Sequence, residues 1–74
     1  MQTEKVKITT EYIKLDQLLK FSGVAENGAD AKDMILDEIV DVNGEVCTMR
    51  GKKIRPGDKV IVNFDDETLK IEVD

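Results

Sequence analysis

The side chains able to do covalent or metal chemistry are few, and their types limit what they can do. The chain has no His, a single Ser (Ser22) and a single Cys (Cys47). Without an imidazole to take the proton, no Ser-His or Cys-His nucleophile pair can be assembled. One thiol forms no intramolecular disulfide and, with no His beside it, no metal-ligand set. Cys47 therefore reads as a small, half-buried strand residue, and a free thiol fits a reducing cytoplasm. Carboxylates are plentiful, but Asp65, Asp66 and Glu67 fall in a turn, with no cleft to raise a pKa. Gly23 and Gly28 have the glycine spacing of a phosphate loop, yet Ala29 and Asp30 stand where Lys and Ser/Thr are required. No calcium-loop spacing occurs among the acids. Neither catalysis nor a metal or cofactor is expected.

What remains is charge. A net charge of −5 counts against a polyanionic partner taken as an average, since phosphate binding rests on neutralisation by Lys and Arg. The distribution reverses that reading. Arg50, Lys52, Lys53, Arg55 and Lys59 crowd into one short segment opposed only by Asp58, whereas residues 26–45 hold seven acids against Lys32 alone. Residues 65–74 are acidic too, with Lys70 against five carboxylates. At physiological salt the screening length is about 8 Å, so distant acids do not cancel a local cationic patch.

The elements that must position this segment follow from hydrophobic spacing. A 74-residue chain has room for one core, and with 4% aromatic residues and no Trp that core must be built from Val, Ile, Leu and Met. Residues 5–9 alternate, predicting a strand with Val6 and Ile8 buried. Leu15, Leu18 and Leu19 form a helical stripe ending near Gly23. Asn27 is placed to cap a second helix, with Asp30 acting in the manner of a capping box and Ala31, Met34 and Ile35, extending to Ile39, on its apolar side. Val40 and Val42, the Asn43-Gly44 turn and residues 45–48 predict a hairpin. Residues 50–55 read as an exposed basic loop, and Pro56-Gly57 as the centre of a type II turn. Residues 60–64 and 69–73 alternate as a final hairpin. Phe21 and Phe64 are expected in the core, Tyr12 at or near the surface. Lys5, Lys7 and Lys70 read as ordinary outward-facing strand residues. The order predicts an α+β domain spanning residues 1–74, with two short helices packed on a small antiparallel sheet. No apolar stretch is long enough for a signal peptide or membrane span, so no membrane partner is expected.

Taken together, several of these stretches resemble a known family. Ala31-Lys32, Ile35, Val40-Asp41-Val42-Asn43-Gly44-Glu45 and Lys53-Ile54-Arg55-Pro56-Gly57-Asp58-Lys59-Val60 are similar to the pattern of the S-four RNA-binding domain, named after ribosomal small-subunit protein four. Residues 13–20, with Leu15-Asp16-Gln17-Leu18-Leu19, resemble its first helix. The resemblance implies two helices on a small sheet, the alpha-L motif, and binding to structured RNA, ribosomal or transfer. It implies backbone contacts from Lys14 and Lys20 of the first helix, Lys32 of the second, and Arg50, Lys52, Lys53, Arg55 and Lys59 of the basic segment. It also implies a short stand-alone bacterial protein, cytoplasmic and acting as a monomer, with ribosomal proteins as further partners. Three departures stand out. Glu38 takes the place of a Gly after the second helix, Lys14 replaces an Arg, and Asn27-Gly28-Ala29-Asp30 replaces a basic helix start. The rival reading is a protein-interaction adaptor that meets a basic partner through the acidic residues 26–45.

Overall fold

A computed structural model describes residues 2–74. In chain order it contains β1 (Gln2–Val6), β2 (Ile13–Lys14), α1 (Leu15–Phe21), α2 (Gly28–Leu36), β3 (Val40–Val42), β4 (Glu45–Val46), β5 (Lys53–Ile54), β6 (Lys59–Asn63) and β7 (Thr68–Val73). Five strands form one sheet in the order β1-β7-β6-β3-β4, and β2 pairs with β5 in a second, two-stranded sheet. The α+β architecture is the expected one. The main sheet is mixed, because β1 runs parallel to β7 while every other pairing is antiparallel.

The strand expected over residues 5–9 lies earlier, at Gln2–Val6. Its register pairs Val6 with the buried Val73, so Val6 enters the core and Ile8 follows as a half-buried residue beyond the strand. The basic segment also differs from expectation. Lys53–Ile54 is a strand rather than loop, and Ile54 is fully buried. A two-residue strand is too short for alternation to show, and flanking cations mask its one apolar residue.

One face of the main sheet and the inner stripes of both helices close a single core. Leu15, Leu18 and Leu19 of α1 and Ala31, Met34 and Ile35 of α2 meet Val40, Val42, Val60, Val62, Ile71 and Val73. Alternation along each strand sends these residues inward, whereas no described residue on the opposite sheet face is buried. The core contains no aromatic ring. Phe21, expected inside, falls on the outward side of α1 and is 67% exposed. Phe64 continues the alternation of Val60 and Val62, but β6 ends at Asn63, and the chain turns with Phe64 N–H donating to the Glu67 carbonyl at 2.8 Å. That turn leaves Phe64 37% exposed.

Asn27 caps α2 as expected, accepting from Asp30 N–H at 2.8 Å. The Asp30 carboxylate reaches one residue further back than a capping box does, to Glu26 N–H at 3.0 Å. At the other end Glu38 has φ +62°, a left-handed conformation that costs an L-residue about 1–2 kcal/mol.

Two turns are locked together by side chains. Asn43 and Gly44 both have positive φ, as a type I′ turn requires, and Gly57 takes the left-handed position of the Arg55–Asp58 turn. Asn43 accepts from Lys59 N–H at 2.9 Å and donates to Asp58 at 3.1 Å, while Asp58 accepts from Arg55 N–H at 2.8 Å. The Asp58 pKa lies below the ordinary 3.8, chiefly because that Arg55 N–H donates to it. Partial burial opposes this shift, and the Asn43 amide and the charges of Arg55 and Lys52 reinforce it.

Two predictions follow from these features. Glu38→Gly relieves the left-handed strain and, after the extra freedom of glycine in the unfolded chain, should raise unfolding free energy by about 0.5–1 kcal/mol in urea titration. Asp58→Ala should cost on the order of 1–2 kcal/mol near neutral pH. The stabilisation from Asp58 is complete above its unfolded value of 3.8 and is lost as pH falls through the lower folded value. Urea titrations from pH 7 to pH 2 should therefore show the gap between wild type and Asp58→Ala closing below about pH 4.

Candidate nucleic-acid interface

The basic segment is fixed to the entry of α1. Ile13 pairs with Ile54 and Lys14 with Lys53 in the antiparallel β2–β5 ladder. The loop carbonyls then satisfy amides that the first turn of a helix leaves open: Leu15 N–H donates to the Lys52 carbonyl at 2.9 Å and Asp16 N–H to the Arg50 carbonyl at 3.1 Å. Asp16 accepts from Gln17 N–H with its own side chain at 2.8 Å. The start of α1 thus spends its donors on the loop, and what faces solvent there is side-chain charge.

The pleat decides which charge. With Ile54 buried and Ile13 packed against the core, Lys14 and Lys53 both face outward, directly opposite each other. Like charges opposed across strands are destabilising, and no carboxylate pairs with either among the described residues. The Lys53 ammonium lies 5.0 Å from the centroid of the Tyr12 ring, a cation–π contact that fixes its position and occupies that ring. Tyr12 is half-buried rather than free at the surface.

The other candidates divide. Lys52 and Arg55 are exposed, and the charges of both help hold the Asp58 carboxyl below its ordinary pKa. Arg50 is partly neutralised by Asp16 at 3.6 Å. Lys59 stands on the bare face of the main sheet, since the adjacent Val60 points into the core. Lys20 and Lys32 are exposed on the outward sides of α1 and α2, the latter beside Asp33 and with Asp30 in the same helix. Lys20 lies about 9 Å along the helix from Lys14, beyond the screening length. The ladder therefore brings Lys14 and Lys53 together, with Arg50, Lys52 and Arg55 on the loop and turn that flank β5, whereas Lys20, Lys32 and Lys59 stand on other elements. Sequence reading missed the Lys14–Lys53 juxtaposition and the Tyr12 contact, because both depend on a two-residue ladder.

Beside this cluster lies an open hollow of about 430 Å³ lined by residues 42–43, 45–49 and Lys52, with Val46 and Met49 exposed at its wall. Cys47 is a free, half-buried thiol there, just beyond β4, with its sulfur 3.7 Å from the Met49 carbonyl. Among the described residues no three His, Cys, Asp or Glu side chains are grouped to hold a metal ion, and no helix is long and apolar enough to cross a membrane.

Comparison with known proteins matches the profile of the S4 domain to residues 6–72. A curated relative, the "Probable ribosome maturation protein RlbA" of Bacillus subtilis (strain 168), is 40% identical over 55 residues, which cover 74% of this chain and 78% of the relative. With the profile spanning both helices, the β2–β5 ladder and most of the main sheet, the chain belongs to the S4 domain family.

Proposed function

We propose that this S4 domain is a non-catalytic RNA-binding module that docks onto structured RNA of the ribosome, ribosomal or transfer RNA, with no cofactor. The observation that carries the reading is the outward pairing of Lys14 with Lys53, flanked by Arg50, Lys52 and Arg55 and left without carboxylate partners at its centre. A folded chain gains nothing from opposed ammonium groups. A phosphate backbone lying across them removes the repulsion and releases its own counterions. Folded RNA is read largely by shape and through phosphates and 2′-hydroxyls, so a small cationic ledge suffices without exposed stacking rings. Family membership and the name of the Bacillus relative support the ribosomal setting. Lys20 and Lys32 act at the periphery of this footprint.

Binding of labelled ribosomal RNA transcripts at several salt concentrations tests the site. Lys52→Glu and Lys53→Glu should each lower the log–log salt slope by about one. Affinities that stay unchanged at all salts would overturn the assignment. Lys14→Gln should weaken binding while raising stability by about 0.2–1 kcal/mol, because it removes one of two opposed charges. A variant that lost stability instead would show Lys14 to be a structural residue.

A further inference from the structure

The bare face of the main sheet carries a second group of cations, visible only through strand register. Lys5 of β1 and Lys59 of β6 both stand opposite Glu72 of β7, one on each side. Lys70, two residues back on the same face, places its ammonium 3.2 Å from the Glu72 carboxylate. Three lysines thus surround one glutamate on a protein whose net charge is −5, and with Lys7, Asp74 and Asp41 the whole face holds four lysines against three acidic side chains. The nearest other acid on this face is Asp74, two residues past Glu72 and set beside Lys7 by Asp74 N–H donating to the Val6 carbonyl at 2.8 Å and Ile8 N–H donating to the Asp74 carbonyl at 3.0 Å, while Asp41, opposite Ile61, accepts from the Asn63 amide at 3.2 Å.

Next to this group is an open hollow of about 430 Å³ lined by Asn43, Gly44, Gly57, Lys59, Ile61 and Lys70. Its floor is the half-buried Ile61, and at its rim are two glycines in left-handed conformations with nothing near the place a Cβ would occupy. Asn43 also lines the hollow that holds Lys52. The two hollows share Asn43 as a lining residue, so Lys52 of the basic loop and Lys59 of the sheet face line neighbouring hollows. Locked by Asn43 and Asp58, the turn is a fixed, low rim between them.

We infer that the phosphodiester backbone of bound RNA continues past the Asn43-Gly44 turn onto the bare sheet face, where Lys59, Lys70 and Lys5 hold further phosphates around Glu72. The inference rests on the RNA-binding reading above and extends its footprint to a surface that neither the helices nor the basic loop reaches. Charge complementarity chooses the occupant. Ammonium groups on aliphatic stems beside an apolar floor suit a sugar–phosphate chain, and the surface carries no ring for base stacking.

The test compares three variants of the full chain for binding to a labelled RNA stem-loop with a single-stranded extension, at several salt concentrations, with circular dichroism as the check on folding. Lys59→Gln/Lys70→Gln should lower the salt slope by about 1.4–1.8 and weaken binding at least about tenfold at physiological salt. Lys52→Gln/Lys53→Gln should lower the slope by a similar amount, and the two losses should add. Glu72→Gln should tighten binding about threefold, an outcome no folding defect produces. If the Lys52/Lys53 variant weakens while the Lys59/Lys70 and Glu72 variants bind as wild type does, the sheet-face inference is overturned and the primary site stands. If wild type shows no salt-dependent binding, both readings fall. A protein partner that survives nuclease treatment on wild type and is lost on Lys59→Gln/Lys70→Gln would overturn the RNA assignment of this face.

Discussion

Ile54 and four backbone contacts hold the functional surface of this domain in place. Buried completely, Ile54 anchors the middle of a basic segment that would otherwise be a mobile loop, and the β2–β5 ladder ties it to Ile13 and Lys14. The Lys52 and Arg50 carbonyls then close onto the first amides of α1. Loop ordering is entropically costly, about 1–2 kcal/mol per residue for the backbone alone. Here the cost is met on folding, so a partner meets cations already arranged rather than having to order them.

The same scaffold explains how an acidic protein presents a cationic face. The chain order sends acids to α2 and its flanks and to the 65–68 turn, while the cations of residues 50–55 go to the small sheet on the α1 side. Over the screening length of about 8 Å, these regions act as separate electrostatic surfaces. Asp16 and Asp58 are the exceptions. Asp58 is engaged by Arg55 N–H and the Asn43 amide, so its carboxylate shapes the turn more than it opposes a ligand. Asp16 pairs with Arg50 and orients it beside the entry of α1. The start of α2 is taken by Asp30 bonding back to Glu26 N–H, which leaves that helix end unsuited to a phosphate.

Much of the fold was legible in the sequence because it is encoded locally. The leucine stripe of α1, the Asn27 cap, the Asn43-Gly44 and Pro56-Gly57 turns and the alternation of β6 and β7 all carry their geometry in residues close together in the chain. The misplaced features depend on distant partners. The parallel β1 is set by pairing with β7 across the length of the chain, and β5 exists only because β2 lies beside it. Phe21 and Phe64 are large and apolar, but their positions just past the last buried residues of α1 and β6 put them outside. The basic segment was recognisable from composition. Which of its cations meet was not, because Lys14 and Lys53 are far apart in sequence and adjacent only through register.

The most direct measurement of the central claim is amide chemical-shift mapping by NMR while a ribosomal RNA fragment is titrated into the full chain. The account predicts the largest shifts at residues 12–16 and 50–55, smaller ones around Lys20, Lys32, Lys59 and Lys70, all weakening with added salt, with the acidic turn at residues 65–67 unchanged. Shifts confined to residues 26–45, or distributed evenly over the molecule, would contradict it.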